Sequence, residues 1–371
     1  MRTLDRRNWL KTAGLSSGFI FLGGLDAVAN RVNTRSIPSA GPVMLNANEN
    51  PFSPSVNMQK VLTDNFDMAC RYPFRILSSL VNDIAEKEGV TKDHVVVTGG
   101  STEGLKASGL LFGSDGGEII AADPTFQALL RYAETFGAYV HRVPVNEKME
   151  HDLDAMSRRV TSRTRLIFIC NPNNPTGTLL DKNNLRDFIT SHDDRAVIFS
   201  DEAYYDFITE PDYPSMVELV KEGRNVIVSK TFSKVYGLAG LRVGYLIARP
   251  DLARRLKSAV MANTNVLAIA GAQGALKDDE FYKFSIAKNA EAKKHICGSL
   301  DQMGLEYIPS HTNFVFFKTG RPIQEVMEDM KQENVLVGRP FPPMLEWCRI
   351  STGTMDEMKI FTDALGKVMK L

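Results

Sequence analysis

The chain has no charge bias, few cysteines and no long apolar run, and each shortage closes a class of function. Its 371 residues carry 44 basic and 44 acidic side chains, a formal net charge of zero. Nucleic-acid backbones are bound through a basic excess or a basic stripe, so that class of partner is not expected. Cys70, Cys170, Cys297 and Cys348 stand far apart, with no CxxC and no histidine-rich neighbour. They read as isolated thiols rather than a disulfide framework or a zinc site. The six histidines, His94, His141, His151, His192, His295 and His311, show no ligand spacing, and no metal is expected. A GxGxxG after the first strand-like run is missing, as is GxxxxGK followed by Ser or Thr. The nicotinamide dehydrogenase and nucleotide-triphosphate readings thereby lose their main support.

The first residues look like an address rather than part of a fold. Asp5-Arg6-Arg7-Asn8-Trp9-Leu10-Lys11 is followed by a Gly-rich apolar run over 12–25 and then by Ala27-Val28-Ala29. Basic start, short apolar stretch and small-x-small site together describe an export signal over 1–29. Paired arginines before a bulky apolar pair and a lysine resemble a twin-arginine signal, which carries folded proteins. Asp5 stands where Ser or Thr is usual, and Trp9 where Phe is usual. Export to the periplasm is expected, with a cytoplasmic location as the alternative. The apolar run falls short of the roughly 20 residues of a membrane span. Residues 30–45 are expected to form an extended arm.

Beyond the arm, strand and helix patterns alternate. Strand-like runs fall at 94–98, 118–122, 138–145, 165–170, 196–200, 225–229 and 241–248. Several, such as Leu166-Ile167-Phe168-Ile169-Cys170, are apolar throughout, as in strands covered on both faces. Helical patterns at 103–112, 126–136, 152–160, 181–191 and 215–221 separate them. This predicts an α/β large domain over 46–250, a mostly parallel sheet wrapped by helices. After Pro250 come long helical stretches, 251–276 and 281–303, then strand–helix–strand–helix from Tyr307 onward. That reads as a smaller α+β domain over 251–371.

Ligands of open parallel sheets sit beyond the carboxyl ends of the strands, and the polar clusters of this chain fall there. They are Gly99-Gly100-Ser101-Thr102, the stretch from Asn171 to Gly177, Asp201-Glu202-Ala203-Tyr204 and Lys230-Thr231-Phe232-Ser233-Lys234. Gly100-Ser101-Thr102 opens a helix, whose free amides and positive dipole end suit a phosphate, although Ser and Thr are also ordinary caps. Lys234 lies in a hydroxyl- and glycine-rich loop with Arg242 eight residues later. Together these could supply an imine-forming amine, phosphate donors and a phosphate-binding guanidinium.

In these segments the chain resembles the fold-type I pyridoxal-phosphate (PLP) aminotransferases, closest to the histidinol-phosphate aminotransferase branch. The resemblance runs through Leu45-Asn46-Ala47-Asn48-Glu49-Asn50-Pro51, Arg71-Tyr72-Pro73, Asn171 to Gly177, Asp201 to Tyr204, the lysine loop and Arg349-Ile350-Ser351-Thr352-Gly353-Thr354. It implies a seven-stranded large domain and PLP held by Lys234 as a Schiff base, the lysine later moving the substrate proton. Asp201 would pair with the pyridinium nitrogen, Asn174 and Tyr204 would bond the phenolic oxygen, and Phe126 would stack on the ring. Phosphate would be held by Ser101, Thr102, Thr231 or Ser233, and Arg242. Tyr72 would reach it from a neighbouring subunit, so a homodimer is expected. Arg349 would clamp the substrate carboxylate in bidentate fashion, Asn48 and Asn313 would flank the substrate, and Arg339 would meet a substrate phosphate. Lys230 competes with Lys234 in type, but the family's lysine matches Lys234.

Taken singly, Asp201 or Tyr204 would serve as a cap or surface group, Phe126 as core and Arg242 as an ion-pair partner. Their order along one chain is what joins them. The implied reaction moves an amino group from an amino acid or amino-alcohol phosphate to a 2-oxo acid such as 2-oxoglutarate. Gly338 before Arg339, and the lack of a tyrosine-bearing arm, depart from the histidinol-phosphate pattern and favour a different amine. The alternatives are a PLP decarboxylase, lyase or racemase of the same fold, and a non-catalytic ligand-binding protein.

Overall fold

A computed structural model describes residues 41–370, so the expected signal and most of the expected arm lie outside the described residues. Among the described residues twelve strands are formed: β1 (Val43–Met44), β2 (Val95–Thr98), β3 (Glu118–Asp123), β4 (Tyr139–Pro144), β5 (Thr164–Cys170), β6 (Val197–Asp201), β7 (Val226–Thr231), β8 (Gly244–Ala248), β9 (Tyr307–Ile308), β10 (Phe314–Lys318), β11 (Val335–Leu336) and β12 (Trp347–Ser351). Seven of them make one sheet in the order β2-β8-β7-β6-β5-β3-β4. Only β8 breaks the parallel run, lying antiparallel to β2 and to β7.

The unbroken apolar character of β5 has a direct cause. Successive side chains of a strand point to opposite faces, and here both faces are covered. Ile167 and Ile169 enter the core on one side, while Leu166, Phe168 and Cys170 enter the core on the other. With both faces sealed by helices, the ends of the strands are what remain for chemistry. β5, β6 and β7 run in parallel, so Asn171, Asp201 and the lysine loop emerge at one rim.

Past Pro250 the expected single helix over 251–276 is two helices, Pro250–Ala259 and Val266–Ala275. Asn265 caps the second, its side chain accepting from the Ala268 amide. Asn and Thr bond nearby backbone more readily than they sit inside a helix, and Asn263-Thr264-Asn265 spends that preference on a new start. The expected 126–136 helix begins only at Ala128, which leaves Phe126 in a loop facing the rim. The run expected at 241–248 enters the sheet only at Gly244, because Ala239–Leu241 form a short 3₁₀ turn.

The C-terminal part has its own antiparallel sheet, β12-β10-β9, and its own core of Leu300, Phe317, Ile350 and Phe361. Val43 and Leu45 join that core, and β1 pairs in parallel with β11. Residues 43–45 therefore lie against the C-terminal core, and residues 46–50 then cross over the rim of the large sheet. No helix among the described residues is long and apolar enough to cross a membrane.

Candidate active site

A cavity of about 570 Å³ opens at that rim, walled by the crossing segment, the strand ends and the turn after β11. It collects Asn48, Ser101, Thr102, Phe126, Asn174 and Asp201 with Tyr204, Ser233, Lys234, Arg242, Arg339 and Arg349. Its charged lining is four cations (Lys234, Arg242, Arg339, Arg349) against two acids (Glu49, Asp201), a balance suited to an anionic ligand. A groove of similar size, about 580 Å³, lies between 146–157 and 180–192, but carries none of these groups.

Lys234 donates from Nζ to the Asn48 carbonyl at 2.8 Å and stands 5.5 Å from the centre of the Tyr204 ring. Burial, followed by the nearby Arg349, pulls its ammonium down to about 8, against the opposing pull of Glu49 and Asp201. Such an amine gives up and regains a proton near neutral pH.

Asp201 closes β6 and is 2% exposed, yet among the described residues no cation within ion-pair distance meets its carboxyl. Its carboxyl accepts from the Ala203 amide at 3.3 Å. Burial pushes it up to about 7, only partly offset by Ala203 and Lys234. A buried carboxyl without a cation is a costly arrangement unless a cation arrives with a ligand. The pyridinium nitrogen of PLP is such a cation.

Around Tyr204 the polar groups interlock. Its hydroxyl accepts from Asn48 Nδ2 at 2.9 Å and from Asn174 Nδ2 at 3.1 Å, which leaves its own proton to donate. Burial raises its pKa, so the phenol stays protonated. Arg349 donates to Asn174 Oδ1 at 2.9 Å and to the Asn46 carbonyl at 2.7 Å, while its Nε is buried without a partner among the described residues. Burial pulls this guanidinium down to about 10. Gly338 lies directly beneath it: a Cβ there would stand 2.7 Å from the Arg349 carbonyl oxygen. The glycine that departed from the family pattern is therefore what lets the arginine strand approach.

A corner of the cavity suited to an anion forms where the helix Ser101–Gly113 begins. Gly100 holds φ +82°, and a Cβ on it would collide with the Arg242 guanidinium. Arg242 is itself in the left-handed region at φ +61° and donates to the Ala239 carbonyl at 2.9 Å. A guanidinium, a helix start and the Ser233 hydroxyl thus converge on one corner.

Three expected site residues stand elsewhere. Thr231 does not line the cavity; its hydroxyl accepts from the Ser233 amide at 3.1 Å and shapes the loop. Asn313 lies behind the wall, donating to the carbonyls of Asn48 and Glu49 at 3.1 and 3.2 Å, so it supports the crossing segment. Tyr72 is 80% exposed on an outer face beside 262–267, stacked on Phe74, and is not part of this chain's cavity. Arg339 is on the rim, its guanidinium 4.3 Å from the centre of the Phe341 ring, and also borders a smaller crevice of about 350 Å³. Asn46, Glu49, Met327 and Val337 also line the cavity. The first two lie inside the segment that carried the resemblance; Met327 and Val337 have no motif that marks them.

Comparison with known proteins adds an independent line. The family model for aminotransferase class I and II matches residues 41–365. A histidinol-phosphate aminotransferase from Moorella thermoacetica is 36% identical over 331 residues, covering 88% of this chain and 85% of the relative. A solved structure from Erwinia carotovora atroseptica, described provisionally as a histidinol-phosphate aminotransferase, superposes with a TM-score of 0.85 at 29% identity, covering 89% of this chain and 96% of that one. The histidinol-phosphate aminotransferase of Sinorhizobium meliloti, solved with pyridoxal-5'-phosphate, matches with a TM-score of 0.83 at 23% identity over 94% of each chain.

Proposed function

The chain belongs to the class I and II aminotransferases and is a PLP-dependent transaminase, and from that premise we propose that Lys234 and Asp201 work as a pair across the cavity. The observation that carries this reading is a buried Asp201 carboxyl without a cation, facing a desolvated Lys234 amine in one chamber. When bound, PLP supplies an electrophilic carbonyl carbon and a ring that withdraws electrons. Arg242, Ser233, Ser101 and Thr102 would hold its phosphate. Asp201 would accept from the ring N–H, and Asn174 and Tyr204 would serve its phenolic oxygen. Phe126 would cover one face of the ring and keep water from it. Arg349 would bind the substrate carboxylate, its free Nε adding a donor that the protein leaves unused. Lys234 Nζ would take the proton from the substrate Cα and return it, moving between charged and neutral forms within the range that burial has given it.

For the substrate, the reading is an amino acid or amino-alcohol phosphate as donor and a 2-oxo acid, 2-oxoglutarate first, as acceptor. Histidinol phosphate heads the donors to try, because that is the name of the relatives; the departures at Gly338 and in the arm favour a different amine. A second copy of the chain is proposed to cover the face around Tyr72, where Phe66 (65% exposed), Phe74 (67%) and Met261 (63%) also lie open. Such exposure of large apolar groups is characteristic of an interface, and size measurement in solution tests it. Export is proposed on the strength of Arg6-Arg7 and Ala27-Val28-Ala29. Filling the site in the cytoplasm before transport suits a cofactor enzyme. Fractionation of cells carrying the wild-type chain and Arg6→Lys/Arg7→Lys tests that.

The reaction is tested by adding single amino donors to the yellow holoenzyme without any oxo acid. Bleaching that 2-oxoglutarate reverses supports transamination and identifies the donor. A protein that keeps its colour while releasing carbon dioxide or ammonia would point to the decarboxylase or lyase reading. A protein that takes up no PLP would defeat the site altogether.

A further inference from the structure

Lys230, four residues before Lys234, has no place in the cavity, but it is far from idle. Its Nζ lies 3.0 Å from Glu88 Oε2 and 3.6 Å from Glu202 Oε2, with all three side chains at most 13% exposed. Glu202 follows Asp201 directly, and its amide donates to the Ser229 carbonyl at 2.9 Å, beside Lys230. Its carboxylate is pinned by the Ser215 hydroxyl at 2.6 Å and the Met216 amide at 2.7 Å. Glu88, at the end of the helix Phe74–Glu88, accepts from the Tyr245 hydroxyl at 2.6 Å. The remaining groups that face Lys230 are the Tyr205 ring, 4.7 Å away, and Asp206, which Tyr282 holds at 2.8 Å. On the cavity side, Asp201 is faced by Lys234 and Tyr204, and within the sheet by Cys170 of β5.

Two buried carboxylates therefore share one ammonium, and one of them, Glu202, follows Asp201 directly in the chain. We propose that Lys230 is a positioning residue: through its ion pairs with Glu202 and Glu88 it fixes the charge next to Asp201, and so sets how tightly the cofactor site holds its proton. Burial chiefly raises Asp201, and the negative charge of Glu202 adds to that rise. Lys230 offsets that negative charge with its own positive one, 3.6 Å from Glu202. In a medium of low dielectric, a charge gained or lost this close is felt strongly at Asp201. The inference rests on the reading of Asp201 as the partner of the ring nitrogen.

The test is the pH at which the visible band of PLP bound to the holoenzyme changes, compared across four variants. Lys230→Met takes away the cation and should move that transition upward, by roughly one pH unit. Glu202→Gln takes away an anion while keeping an acceptor for Met216, and should move it downward. Lys230→Arg should return it to the wild-type position. A role in folding alone would lower the melting temperature without giving opposite signs. Parallel shifts, or no shift in both charge variants, would overturn the inference. If Lys230→Met does not fold, a Glu202→Gln transition that stays in place overturns it alone. Asp201→Asn is the control: if it leaves the band unchanged, the assignment of Asp201 fails; if it moves the band while the other variants do not, only the role of Lys230 fails.

Discussion

Lys230 and Lys234 lie on the same stretch of chain, yet the two sides of the sheet rim treat them in opposite ways. Lys230 faces Glu88 and Glu202, and their charges outweigh its burial and raise its pKa. Lys234 faces the cavity, where burial and Arg349 draw it down to about 8. One is a fixed charge, the other a group that can lose its proton. The difference teaches that residue type confers little here: the partners supplied by distant segments decide which lysine is structural and which is reactive.

The sharpest way to break this comparison is to remove Lys234. Lys234→Ala should slow the amino-donor half-reaction by about 10²–10⁴-fold, the range of a lost acid–base group, read by stopped-flow absorbance. Equal slowing by Lys230→Arg would erase the distinction between the two lysines.

Next in size is stability. Lys230→Met leaves two buried carboxylates without their cation and should cost about 3–5 kcal/mol in denaturant unfolding of the apoprotein. Lys234→Met removes an amine that burial disfavours and should raise the melting temperature of the apoprotein. A loss in both would place them in the same class.

Asp201 offers a pH test of the cavity side. Its folded value of about 7 lies above the ordinary 3.8, so the folded apoprotein holds the extra proton between those limits. The stability this confers is complete below about 3.8 and is lost as pH rises through about 7, a span worth on the order of a few kcal/mol. Apoprotein unfolding curves for Asp201→Asn should lack this part of the slope.

Arg349→Lys should raise KM for carboxylate donors by about 10–100-fold, because an ammonium cannot reproduce the planar fork that also serves Asn174 and Asn46. The smallest effect is expected from Gly100→Ala. With φ at +82° and the Arg242 guanidinium in the way, a methyl group there should weaken PLP binding by about tenfold, measured by titrating apoprotein.

Much of the cavity was legible beforehand, since motifs that end strands in a parallel sheet must meet at one rim. Asn174, Asp201, Tyr204, Ser233 and Lys234 came from such ends, Arg242 came from the start of the run that becomes the antiparallel β8, and all line the cavity. Thr231 and Asn313 show the limit of this logic. Being in the right segment does not say which way a side chain turns, and both turn to backbone groups instead. The split of the helix expected at 251–276 escaped because apolar spacing continues across 260–265, while the cap at Asn265 is a local competition that periodicity does not register.

The strand ends, the lysine loop and Arg242 could be read from the sequence alone, because these depend on local pattern and on residue chemistry that no fold can supply later. Only the tertiary structure decided what each charge faces. Glu88 reaches Lys230 across 142 residues, and Asn48 reaches Tyr204 across 156. Contacts at that separation leave no trace in local spacing, and in a buried rim they set the balance between a held charge and a mobile proton.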